Sequence, residues 1–249
     1  MTFKVVDFKI VIPARYASTR LPGKPLLDIA GKPMVVRVAE QAAKSGASEI
    51  VIATDFEKIV TSAKEHGFHA IMTRVDHQSG TDRIAEVAQQ LNWADDDIVV
   101  NVQGDEPLID PILIKEVAAQ LASSKDAVMA TACHAIHDEA NMMNSNIVKV
   151  ALDINGNALY FSRAPIPYPR DDSYKQNIQA HRHIGIYAYR VGFLKKYAEL
   201  AVTELEKIES LEQLRVLHHG YKIAVTITEN APASGVDTQQ DLDYVRSLF

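Results

Sequence analysis

Cysteine occurs once in this chain, at Cys133, which excludes an internal disulfide framework and fits a reducing compartment. In its setting, ATACH, the residue reads as a small apolar side chain on a strand. Basic residues are fewer than acidic ones, 26 against 32, for a net charge of -6. That balance argues against a general nucleic-acid surface, and any anionic substrate would need a locally basic site. No apolar run approaches the ~20 residues of a membrane span. The N-terminal MTFKVVD lacks a signal-peptide pattern, so no membrane partner and a cytoplasmic location are expected. The glycine-rich nucleotide fingerprints G-x-G-x-x-G and G-x-x-x-x-G-K-S/T are missing, so side chains would have to hold any phosphates. No linker, repeat or low-complexity segment divides the 249 residues, which suits a single domain over 1–249.

What is present begins at Ile10 to Lys24, IVIPARYASTRLPGK. Phe8 to Ile12 reads as a buried strand that Pro13 stops. The loop after it carries Arg15, Arg20 and Lys24 with Ser18, Thr19 and Gly23, and no acid lies between Lys9 and Leu27. Such a loop can be an ordinary solvated surface. Its place after the first buried strand, and the prolines at 22 and 25 that stiffen it, suit a polyphosphate gripped by arginine forks and a lysine point charge.

Strand and helix patterns then alternate. Strands are expected at 49–54, 69–72, 97–102 and 127–132, with helices near 34–42, 56–66, 84–91 and 111–121, which implies βαβ units and a mainly parallel sheet. Runs at 147–152 and 158–161 flank Asn155-Gly156, a hairpin signal. A strand at 183–189, helices near 191–200 and 210–219, a strand at 222–228 and a helix from Gln239 complete an α/β chain with an antiparallel insertion at about 147–190.

Three further constellations could carry chemistry. In VNVQGDEP, Asp105 follows a buried strand and offers oxygen to Mg²⁺, or merely opens a turn. In GVDT, Asp237 or Thr238 caps the last helix, or Asp237 binds metal. Arg163, His183, Tyr187 and Glu212-Gln213 are scattered through the second half. Arg163 could bind a carboxylate, whereas His183, Tyr187 and Glu212 also read as structural, core and solvated-face residues.

Taken together, IPARYASTRLPGKPL, TRVDHQSGTDR, VNVQGDEP, ALYFSRAPIP, HIGIYAY, ESLEQLR and GVDT closely resemble the 3-deoxy-manno-octulosonate cytidylyltransferases, the CMP-Kdo synthetases, from about Phe8 to Phe249. The resemblance implies a Rossmann-like nucleotidyltransferase fold, a homodimer, and transfer of CMP from CTP to the anomeric hydroxyl of Kdo, with pyrophosphate leaving, for lipopolysaccharide core synthesis. The alternative acceptors are 8-amino-Kdo and sialic acid. Carried onto this sequence, Pro13, Ala14, Arg15, Thr19, Arg20, Lys24, Arg74, Ser79, Gly80 and Gln103 would bind CTP. Asp105 and Asp237 would hold Mg²⁺. Gln103, Arg163, His183, Tyr187, Glu212 and Gln213 would form the sugar-acid pocket, with the insertion contributing to that pocket and to the dimer contact. Lys24, Arg15, Asp105 and Asp237 would be catalytic.

Overall fold

The computed structural model describes residues 6–17, 21–77, 79–171, 180–229, 231–233 and 235–249. Thr19 and Arg20 lie outside them. The expected α/β architecture with a mostly parallel sheet is borne out. Strands β1 (Lys9–Ala14), β4 (Glu49–Thr54), β5 (His69–Met72), β6 (Ile98–Asn101), β7 (Ala127–Ile136) and β11 (Lys222–Ile227) run parallel, and β10 (Ala180–Arg190) runs antiparallel between β7 and β6. The order across the sheet is β11-β7-β10-β6-β1-β4-β5. The expected hairpin is present as β8 (Lys149–Leu152) and β9 (Ala158–Ser162), attached to the sheet through β10.

Apolar residues on successive strand positions feed two layers. Ile10, Ile12, Ile52 and Val100 pack with α1 (Met34–Ala43), α2 (Glu57–Glu65) and α4 (Pro111–Ser123). Val11, Val51 and Val99 pack on the other face with α3 (Gly80–Gln90), α6 (Val191–Tyr197) and α8 (Gln213–His218). Each such aliphatic side chain, fully buried, contributes about 1.5–3 kcal/mol. A third cluster joins the small β2 (Asp28–Ile29) and β3 (Lys32–Pro33) hairpin to α9 (Gln239–Arg246) through Ile29, Met34, Val236, Leu242 and Val245. Arg246 Nε donates to the Asp28 carbonyl at 2.9 Å, tightening the same contact. This cluster brings the chain just before α9 alongside the first loop.

Pro13 does not end β1, as its chemistry suggested, because the strand continues to Ala14. The last β1–β6 pair is Val11 with Asn101, so Pro13 lies where that ladder has finished and pairs only toward β4. Two short helices also went unread, α5 (Glu139–Met143) and α7 (Glu204–Glu209). The second has a legible start, a capping box in which Thr203 and Glu206 each accept from the other's backbone N–H.

The ends of β1 and β6 approach each other at Gly104. A Cβ there would sit 2.7 Å from the Pro13 carbonyl oxygen and 3.4 Å from the Ala14 Cβ. Gly104→Ala must therefore push the two loops apart, and we expect a loss of about 1–3 kcal/mol in urea denaturation, the usual cost of overpacking. An unchanged unfolding midpoint would show that the loops separate without cost.

Candidate active site

Three segments distant in sequence converge on one ammonium group. The PGKP turn forms a short 3₁₀ helix, Lys24–Leu26, entered from Gly23 in the left-handed region at φ 68°. From there Lys24 Nζ donates to Asp105 Oδ2 at 2.7 Å, to the Val236 carbonyl at 2.8 Å and to Asp237 Oδ1 at 3.2 Å. The Val236 N–H in turn donates to the Asp105 carbonyl at 2.8 Å, which docks the segment before α9 onto the β6 loop. The two readings of GVDT separate here. Thr238 caps α9 in a capping box with Asp241, and the Asp237 carboxylate reaches Lys24 instead.

Among the described residues no group of three His, Cys, Asp or Glu side chains is placed to hold a metal ion. Asp105 and Asp237 do share one cation already, and two carboxylates are a donor set that suits Mg²⁺, which takes one or two protein carboxylates and completes its shell with substrate phosphates and water. Next to them, Glu106 is pushed up to about 7 by burial, with the charge of Asp105 adding to the effect.

Beyond Gln103 opens a cavity of about 310 Å³. Gly80 and Gln103, which the resemblance assigned to CTP, and Tyr187, Glu212 and Gln213, which it assigned to the sugar acid, line it together with Asn101, Thr81, Tyr189 and Tyr197, which sequence reasoning missed. Two polar atoms on this lining are buried without a protein partner among the described residues: Asn101 Oδ1 and Gln213 Nε2. A buried unpaired acceptor or donor costs about 1–3 kcal/mol, and a hydroxylated ligand would satisfy one of each. Tyr187 sits opposite Asn101 in the β10–β6 register. Glu212 is open to solvent on one side, while desolvation raises its carboxyl above the ordinary range; Arg215 and Arg15 pull it back down.

His183 stands behind this wall, edge-on to Phe161 at 4.9 Å and tilted to Tyr187 at 5.4 Å. Its Nε2 lies 3.0 Å from the Thr131 hydroxyl, which also reaches the carbonyls of Ile184 and Ile186 at the β10 bulge. Desolvation pushes His183 down to about 3, so it is neutral at physiological pH.

The remaining site residues are less concentrated. Pro13 packs at the end of β1 against Gly80, and Ala14 against Gly104. Arg15 is exposed. Ser79 spends its hydroxyl on the N-cap of α3, accepting from the Asp82 N–H. Arg74 lies outside the cavity, its guanidinium on Asp76 at 2.9 and 2.5 Å. Arg163 also lies outside the lining, donating from Nε to the Glu209 carbonyl at 2.7 Å and from Nη1 to the Ser145 carbonyl at 3.2 Å. Cys133 is buried in β7, and desolvation raises its thiol to about 12, so it packs as an apolar residue. No helix among the described residues is long and apolar enough to cross a membrane.

Residues 9–223 match the cytidylyltransferase family. The chain belongs to that family. A solved CMP:2-keto-3-deoxy-manno-octonic acid synthetase, in complex with CTP, is 44% identical to this cytidylyltransferase. The alignment covers 97% of this chain and 98% of the other, with a TM-score of 0.90. A cytidylyltransferase from Leptospira borgpetersenii serovar Hardjo-bovis (strain JB197) is 19% identical over 98% of this chain and 86% of its own, with a TM-score of 0.62, and shares the fold. The cytidylyltransferase is thus a nucleotidyltransferase enzyme, and its sheet is the sheet of that family.

The neutral His183 has a consequence for stability. An imidazole whose folded pKa lies below the ordinary value near 6.5 favours the native state above that value, and the gain is lost as pH falls from there toward about 3. Melting temperatures at pH 7 and pH 5 should therefore differ less in His183→Gln than in the wild type. His134 and His181, also lowered by desolvation, would keep the remaining dependence. Equal differences in the two proteins would mean that His183 takes up a proton freely.

Proposed function

We propose that this enzyme transfers CMP from CTP to the anomeric hydroxyl of 3-deoxy-D-manno-octulosonate (Kdo), releasing pyrophosphate and giving CMP-Kdo. The observation that carries the reading is the 44% identity, over 97% of the chain, to a CMP:2-keto-3-deoxy-manno-octonic acid synthetase solved with CTP. The convergence of Lys24, Asp105 and Asp237 beside a polar cavity supports it independently of any relative.

Two anions must meet in this reaction, so the chain has to supply positive charge where they do. Lys24 and Arg15 serve that need on the nucleotide side, and Arg20 and Thr19, outside the described residues, join them from the sequence. Pro13, Ala14, Gly80 and Gln103 form the surface for the nucleotide, and Arg74 and Ser79 flank it. Asp105 and Asp237 would hold Mg²⁺, which when bound screens phosphate charge and lowers the pKa of a coordinated hydroxyl. On the acceptor side Arg163 presents a guanidinium to the sugar carboxylate, and the carboxylate is bonded to the carbon that bears the attacking hydroxyl. Fixing one group aims the other. Gln103, Glu212 and Gln213 take the ring hydroxyls, and His183 and Tyr187 shape the wall. A homodimer belongs to the same reading, supported by large apolar side chains left in solvent, Tyr168 and Ile208 among them, and is checked by sedimentation velocity. A cytoplasmic location is supported by the single, buried cysteine.

Pyrophosphate release tests the assignment, with CTP, UTP and ATP each offered Kdo, 8-amino-Kdo and sialic acid in the presence of Mg²⁺. Turnover confined to CTP with Kdo is the expected pattern, and a preference for another sugar acid would move the assignment to that acceptor. Asp105→Asn and Asp237→Asn should each nearly abolish turnover while CTP still binds. Their combined loss should fall far short of the product of the single losses, because residues serving one metal act as a unit. Multiplicative losses would place them in separate roles.

A further inference from the structure

A carboxylate in the last turn of a helix faces the negative end of the helix dipole, and Glu209 is the last residue of α7. Ser210, directly after it, takes a left-handed backbone at φ 52°, which is unfavourable for a residue with a Cβ. Two locally unfavourable choices in succession call for compensation, and natural chains make such choices where a site demands them.

The compensation is a joint between two walls. Glu209 Oε1 accepts from the Ser162 hydroxyl at 2.6 Å, and Oε2 from the Arg163 backbone N–H at 2.9 Å. The Glu209 carbonyl accepts from Arg163 Nε at 2.7 Å. From the other side Lys149, fully buried, donates to the Arg163 carbonyl at 2.6 Å and to the carbonyls of Ile147 and Asn144 at 2.6 and 3.0 Å. Arg163 is thereby held through its N–H, its carbonyl and Nε, while Nη2 has no protein partner among the described residues. On the far side of Glu209, the residues from Ser210 to Gln213 line the cavity.

We propose that Glu209 is a positioning residue that locks the Arg163 arm to the Glu212–Gln213 wall. It sets the distance between the group that takes the acceptor's carboxylate and the groups that take its hydroxyls. The inference rests on the reading of Arg163 given under the proposed function. It adds that the Glu209 carboxylate ties the backbone at Ser162 and Arg163 to the helix end that leads into the cavity wall, so its loss should be felt by the acceptor and not by the nucleotide.

The test is steady-state kinetics of the full chain with CTP and whichever sugar acid the substrate panel shows to be turned over, so that a wrong acceptor identity fails in the panel and not here. Glu209→Ala should lower kcat/KM for the acceptor by about 10²-fold, the scale of a small misplacement of a bound reactant, with KM for CTP unchanged. Glu209→Gln keeps one acceptor oxygen and should lose only part of this. The Arg163→Ala/Glu209→Ala double variant should lose far less than the product of the two single losses, because Glu209 acts in large part through Arg163. Equal losses toward CTP and acceptor, or multiplicative losses in the double variant, overturn the proposal. Should Glu209→Ala fail to fold, Glu209→Gln decides: a raised acceptor KM at unchanged CTP KM supports the joint, and an unchanged acceptor KM overturns it.

Discussion

The contact on which the site depends is the Lys24 ammonium. It has three N–H donors, and all three are spent on groups from the β6 loop and the segment before α9. Without that charge, Asp105 and Asp237 would face each other as like charges where the β6 loop meets the segment before α9. The two ion pairs are not equal. Lys24 is 13% exposed, Asp105 35% and Asp237 49%, and the Asp105 contact is also the shorter. Solvent screens the Asp237 pair toward the small values typical of surface pairs. What holds the Asp237 segment is therefore less its own charge than the Val236 backbone on both sides, its N–H on the Asp105 carbonyl and its carbonyl on Lys24, backed by the apolar contacts of Val236, Leu242 and Val245. A phosphate oxygen that takes Lys24 must displace one of three existing acceptors, and the half-exposed Asp237 is the least costly to give up.

Much of this was legible in the sequence. An unbroken apolar run announces a buried parallel strand, and β4 and the edge strand β5 appear with the boundaries their runs suggested. The residues at Lys24, Asp105 and Asp237 stand out because charged side chains follow strands or precede a helix, where the fold gathers loops. Less legible was anything decided by tertiary neighbours. Pro13 belongs to a strand because β6 has already left the ladder beside it. Asn101, Tyr189 and Tyr197 line the cavity from positions that read as ordinary strand or helix interior, and Thr81 from what read as a polar loop. The one available signal was Asn101 itself, a polar side chain at the end of an apolar strand. Its carbonyl oxygen, buried and unpaired, is the kind of exception to polar satisfaction that marks a site.

Arg163 shows the opposite limit. Its chemistry suggested a carboxylate ligand, and its surroundings were not readable. The guanidinium is anchored by carbonyls at Glu209 and Ser145 and lies beyond the cavity wall. An arginine so tethered has fewer rotamers to lose when a ligand arrives, which lowers the entropic cost of binding at the remaining N–H groups. The anchoring residues Glu209 and Lys149 carry no motif of their own. A glutamate at a helix end and a lysine at a strand start are ordinary in sequence and become informative only when their hydrogen bonds are seen.

On the function proposed above, with the nucleotide at the Lys24 end and the sugar acid in the cavity, the two halves of the site divide their electrostatics. On the nucleotide side the groups are charged and partly hydrated: Lys24, Asp105, Asp237 and the exposed Arg15. On the acceptor side the wall is dominated by neutral groups, with His183 held neutral by desolvation and burial raising the hydroxyls of Tyr187 and Tyr189. That division follows from what each half must bind. Phosphates bring charge that only charge can answer, and the answering groups must stay adjustable as charge moves to the leaving pyrophosphate. A sugar brings many neutral hydroxyls, which are recognised by fixed donors and acceptors in a dry wall, where an unmatched hydroxyl or an unmatched Asn101 Oδ1 is costly. On that reading, discrimination among sugar acids would belong to the neutral side, and the chemistry common to cytidylyl transfer to the charged side.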